Sequence, residues 1–92
     1  MTIKGIIENI EYRNNSGHPK KIVTLIPNVI FTNDSSFRQK AFIEFRGSFQ
    51  SILQKIKVDD VVEVSIAIQA KVSQNSGIEF NNLVAYEIKK IE

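Results

Sequence analysis

Residues 37–46 read Phe-Arg-Gln-Lys-Ala-Phe-Ile-Glu-Phe-Arg, and their alternation is the strongest chemical signal in the chain. Side chains of a strand point alternately to its two faces, so Phe37, Gln39, Ala41, Ile43 and Phe45 share one side. Arg38, Lys40, Phe42, Glu44 and Arg46 share the other. The first set suits a core, and the second surrounds one aromatic ring with cations. Cations neutralise phosphates and an aromatic plate stacks bases, the combination used by sequence-tolerant binders of single-stranded nucleic acid. Phe42 is therefore the expected stacking residue, with Arg38, Lys40 and Arg46 as phosphate contacts. Further cations gather elsewhere, at Arg13, Lys20 and Lys21 near His18, at Lys55 and Lys57, and at Lys71. Of these, Arg13, Lys20, Lys21 and Lys71 are the additional candidates for nucleic-acid binding.

Catalytic chemistry finds little footing. His18 is the only histidine and stands beside Pro19 in a turn-rich tract. Asp59 and Asp60 form an acidic pair, but adjacent residues approaching a strand point apart, and turn chemistry accounts for them. There is no cysteine, which excludes disulfides, thiolate nucleophiles and Cys-based zinc sites. No glycine-rich phosphate loop or metal-ligand spacing is present, so neither a catalytic function nor a cofactor or metal is expected.

The elements that must position these residues belong to one domain, residues 1–92, because a chain of this length closes a single modest core. With 42% hydrophobic and 24% charged residues the composition is that of a folded globular protein. The net charge of +2 is too small to identify a partner, so the distribution of charge has to do so. The N-terminal sequence has no signal-peptide layout, and no apolar run approaches the roughly 18 residues of a membrane span. A cytoplasmic protein, complete at its N-terminus, is expected.

Residues 3–12 are rich in β-branched side chains and carry Gly5 early, predicting a strand with a bend or bulge. Residues 13–19, Arg-Asn-Asn-Ser-Gly-His-Pro, predict a reversal. A second strand covers 20–26, Pro27 and Asn28 interrupt it, 29–32 is β-prone again, and 33–36 is a turn. The third strand is 37–46. Gly47 ends it, and Ser48 is placed to cap a short helix over 49–56 whose Phe49, Ile52, Leu53 and Ile56 form one apolar stripe. Residues 57–60 make a turn before the longest strand signal, 61–72, with Val62, Val64, Ile66, Ile68 and Ala70 on one face. Gln74-Asn75-Ser76-Gly77 is a hairpin turn. Residues 78–91 alternate after it, with Phe80, Val84, Tyr86 and Ile88 on one parity. Phe37, Phe45 and Phe49 are assigned to the core, and Phe31 and Phe80 to core or groove.

Five strands with a helix between the third and fourth predict an all-β fold, the five-stranded Greek-key OB-fold barrel, whose binding face lies over strands two and three. The flanking loops join strands one and two and strands four and five, where Arg13, Lys20, Lys21 and Lys71 fall. The tract Lys57-Val58-Asp59-Asp60-Val61-Val62-Glu63-Val64 resembles the turn and strand after the helix in many such barrels, where Lys-Val-Gly-Asp is common. The ending Phe80-Asn81-Asn82-Leu83-Val84-Ala85-Tyr86-Glu87-Ile88 resembles the last strand of a family of small bacterial OB-fold proteins related to single-stranded DNA-binding proteins. The likeness spans nearly the whole chain. It departs from the pattern in three places: Asp59 replaces the usual glycine, Phe80 and Tyr86 stand where tryptophans are frequent, and strand two is extended over 27–34. Nor does Lys89-Lys90-Ile91-Glu92 form the acidic, glycine-rich tail of replicative single-strand binders, so a full replicative role is not expected.

The leading expectation is a non-catalytic binder of single-stranded DNA, with RNA as the other candidate strand, working as a monomer, homodimer or homotetramer. The alternative is an OB-fold protein-interaction module, or a replication or repair accessory subunit without direct nucleic-acid contact, docking through residues such as Val29, Ile30 and Phe31.

Overall fold

In a computed structural model the described residues are 1–15, 17–28 and 39–91, the side chain of Asn15 excepted. They form β1 (Thr2–Asn15), β2 (His18–Pro27), β3 (Ala41–Arg46), a 3-10 helix (Gly47–Leu53), β4 (Val61–Val72) and β5 (Glu79–Lys90). The expected segment 29–36, and Phe37 and Arg38 at the start of the third strand, lie outside the described residues.

The strands hydrogen-bond in the order β1-β2-β3-β5-β4, and β1 also pairs with β4, so the five-stranded sheet closes on itself. All pairings are antiparallel except β3 with β5, which is parallel and joins Ile43 to Leu83 and Glu44 to Val84. β1 serves two neighbours by changing partner along its length. Its first residues pair with β4 and the remainder with β2, overlapping at Gly5 and Ile6. There Gly5 is opposite both Pro27 and Val62, and a Cβ on it would lie 2.1 Å from the Ile26 carbonyl oxygen. Only glycine admits so close a backbone approach. A register shift between Ile7 and Asn9 adds the bulge that the early glycine suggests.

The core is the inner face of this sheet. Ile7, Val23, Leu25, Ile43, Phe45 and Val62 are fully buried, and Val64 and Ile66 continue it along β4. These follow the period of two expected of half-buried strands. Both β-hairpin turns occur where expected. Asn15 pairs with His18 around Gly17, whose φ is 77°, and Gly77 at φ 70° closes the second, its N–H donating to the Ser73 carbonyl at 2.8 Å.

Three expectations need correction. The segment after Gly47 is a 3-10 rather than an α-helix, its N-terminal flank is Arg46 without a side-chain cap, and Phe49 is 44% exposed. With three residues per turn, i and i+4 no longer align, so Leu53 reaches the core while Phe49 and Ile52 turn outward, and Ile56 packs against the core from beyond the helix end. In β5, the register shift opposite Ser65 and Ile66 leaves Tyr86 without a cross-strand partner and changes the inward parity. Leu83, Ala85 and Ile88 therefore pack inward, whereas Phe80 and Tyr86 are exposed. Finally, the apolar face of β4 outruns the body. Among the described residues β5 keeps its pairing with β3 as far as Leu83, opposite Ile68; beyond that point β4 and β5 are paired only with each other, and Ile68 at its base and Ala70 and Val72 on this two-stranded arm are exposed.

Candidate nucleic-acid interface

Strand register assembles the outer face of β1, β2 and β3 in rows. Arg13 is opposite Lys20, which is opposite Arg46, so three cations cross the sheet side by side. The next row on this face is Glu11, Ile22 and Glu44, and the one after it Asn9, Thr24 and Phe42. Phe42 is 62% exposed, while Ala41, Ile43 and Phe45 beside it in sequence are buried. The alternation expected of the third strand thus holds from Ala41 to Arg46. Gln39 and Lys40 precede it as irregular chain.

Glu44 is the feature that sequence alone does not reveal. It lies among the cations yet is only 6% exposed. Lys20 Nζ donates to its Oε1 at 2.7 Å and Arg46 Nη2 to its Oε2 at 3.1 Å, so both carboxylate oxygens are held by a cation. Burial pushes the Glu44 carboxyl up, but the hydrogen bonds and charges of Lys20 and Arg46 outweigh it and hold the group below the ordinary carboxylate value. Arg46 also donates from Nη1 to Gln69 Oε1 at 2.8 Å, tying β3 to the base of the arm.

Arg13 and Lys40 are similarly engaged. Arg13 Nη2 donates to Glu11 Oε2 at 3.1 Å, and Lys40 Nζ donates to Glu8 Oε1 on β1. Lys71 is exposed on the arm and has no ion pair among the described residues. Lys21 departs from expectation. Its cross-strand neighbour is the buried Phe45, which puts it on the inward parity, opposite to Lys20, and it lines neither cleft described below. Arg38 lies outside the described residues.

Two clefts adjoin along this face and share Lys20 and Glu44. One, of about 500 Å³, runs from Gly17, His18 and Pro19 of the first hairpin to Arg46, Gly47 and Lys71. The other, of about 460 Å³, is walled by Arg13, Ile22, Lys40 and Phe42 on one side and by Asn81, Asn82 and Leu83 of β5 on the other. Asn81 and Asn82 escape a linear reading because β3 and β5 are joined only by a parallel pairing across some forty residues. Side-chain amides there supply both donors and acceptors, suited to the edges of bases.

Asp59 and Asp60 belong to the turn into β4. Asp60 Oδ2 accepts from the Lys57 N–H at 2.9 Å, and Asp59 adopts φ 76° while its N–H donates to the Ile7 carbonyl at 2.8 Å. Asp59 thus occupies the left-handed conformation that glycine takes freely. Among the described residues no group of three or more His, Cys, Asp or Glu side chains could hold a metal, and no helix is long and apolar enough to cross a membrane. No family model, curated protein or solved structure matches the chain.

Proposed function

We propose that the chain is an OB-fold barrel that binds single-stranded nucleic acid, DNA foremost, across β2 and β3 without catalysing a reaction. The observation that carries this is the exposed ring of Phe42 on the same sheet face as the cation row Arg13, Lys20 and Arg46. A base stacked on such a ring gains about 1–3 kcal/mol, and the neighbouring cations give the phosphates counter-charge. Lys40 borders the ring and Lys71 extends the positive charge onto the arm. The strand-two and strand-three face is also where this barrel type binds oligonucleotides. Glu44 opposes phosphate binding from the adjoining row, so the strand competes with it for Lys20 and Arg46. Affinity is accordingly modest and strongly salt-dependent. The protein acts in the cytoplasm in this proposal, and a homodimer or homotetramer would lengthen the strand it grips.

A protein-interaction module is the second proposal, favoured by the exposed Ile68, Val72 and Ile78 of the arm. An isolated two-stranded ribbon is marginally stable in water, so apolar residues there favour a covering partner.

Fluorescence-anisotropy titration of labelled oligo-dT and of a matched duplex, at roughly 50 and 200 mM salt, separates the two. Preference for the single strand with a steep salt slope supports nucleic-acid binding. Absence of binding at the lower salt refutes it and leaves the interaction module.

A further inference from the structure

The two clefts along the outer face differ in their balance of charge. The cleft walled by Phe42 carries Ile22, Leu83, Asn81 and Asn82, a surface for a base, and its cations are matched: Arg13 by Glu11, Lys40 by Glu8, and Lys20 by Glu44. The adjoining cleft sets Lys20, Arg46 and Lys71 against Glu44 alone, a surplus of two positive charges, with the His18 imidazole beside them. Both are within the size range of small-ligand sites, and shared walls at Lys20 and Glu44 make them neighbours.

A phosphodiester inside a strand carries one negative charge, whereas a terminal phosphate monoester carries about −1.5 to −2 at pH 7 and offers three acceptor oxygens. The surplus in the second cleft matches the monoester. Lys20 and Arg46 can donate to it in place of Glu44, and Lys71, exposed and without an ion pair among the described residues, can close on it from the arm. We infer that the cleft between the first hairpin and the arm is a site for the terminal phosphate of a single strand whose end base lies against Phe42. This rests on the proposed single-strand binding and adds recognition of a phosphorylated end to it.

The test is competition against a labelled oligo-dT by unlabelled oligo-dT of equal length bearing hydroxyls at both ends, a 5′-phosphate or a 3′-phosphate, with inorganic phosphate as a separate competitor. One of the two phosphorylated strands is expected to compete roughly tenfold better than the hydroxyl-ended strand at low salt, the scale of one added charge-assisted contact. Lys71→Gln, on an exposed arm position, should weaken both strands and the phosphorylated one more, shrinking that ratio toward one. Equal competition by all three strands overturns the end site while leaving single-strand binding intact. Inorganic phosphate competing as well as the phosphorylated strand overturns it too, since the site would then serve free phosphate. If labelled oligo-dT itself fails to bind, the underlying function falls instead.

Discussion

Replacing Glu44 by Gln should make the protein less stable and a better ligand for single strands, two effects that come from the same pair of contacts. The carboxylate accepts from Lys20 at 2.7 Å and from Arg46 at 3.1 Å. An amide of nearly equal shape keeps one carbonyl acceptor but turns an NH2 group toward the second cation, so one charge-assisted bond is lost and the other becomes weaker. Hydrogen bonds to charged groups are worth about 1.5–3 kcal/mol, but the two cations remain 28% and 32% exposed and water takes up part of the loss. A destabilisation of about 1–2 kcal/mol follows, which for a domain of this size lowers the melting temperature by roughly 4–16 °C. The same substitution frees Lys20 and Arg46 for phosphate. Each additional phosphate neutralised on a single strand steepens the slope of log K against log salt by about 0.7. Glu44→Gln should therefore bind oligo-dT several-fold more tightly at low salt, with the steeper slope, and anisotropy titrations at four or five salt concentrations read both. Weaker binding, or an unchanged slope in a variant whose circular dichroism shows it folded, would refute the idea that Glu44 competes with phosphate. An unchanged melting temperature would refute its structural role.

Glu44 also makes stability pH-dependent: because its folded-state carboxyl is held below the ordinary value of 4.5, the stabilisation is full above that value and is lost as pH falls through the lowered one, so acid melting curves of the wild type should show a loss that Glu44→Gln lacks. Phe42→Ala should leave the melting temperature almost unchanged, the ring being 62% exposed, yet cost about 1–3 kcal/mol in oligo-dT affinity; an equal loss of stability would mean that the ring is part of the packing. Gly5→Ala forces its new Cβ to within 2.1 Å of the Ile26 carbonyl oxygen, and urea unfolding should register a loss of at least about 1–3 kcal/mol from the displaced backbone. Asp59→Gly relieves a left-handed non-glycine residue and should raise stability by up to about 1 kcal/mol, whereas Asp59→Val at φ 76° should lower it; the opposite order in thermal melts would contradict the backbone argument.

What the sequence determined by itself is local. The alternation of faces in Ala41–Arg46, the alternation of burial in the first half of β4, and the glycines at both hairpin turns are short-range effects of strand geometry and backbone sterics. From them five strands, their order along the chain and the exposure of Phe42 could be read. Tertiary structure decided which residues meet. Lys20 and Glu44 are 24 residues apart, and only the β2–β3 register makes them partners; the parallel β3–β5 contact alone brings Asn81 and Asn82 beside Phe42. The register shift at Ser65 and Ile66, with Tyr86 as the extra residue, puts the inward parity at Leu83 and Ala85 before it and at Ile88 after it, so no single parity runs through β5 and Phe80 and Tyr86 do not share the face of Ile88. Burial on β4 ends at Ile66 although the apolar alternation continues to Val72, and no pattern within β4 could mark that point, since burial depends on which other strands lie across it.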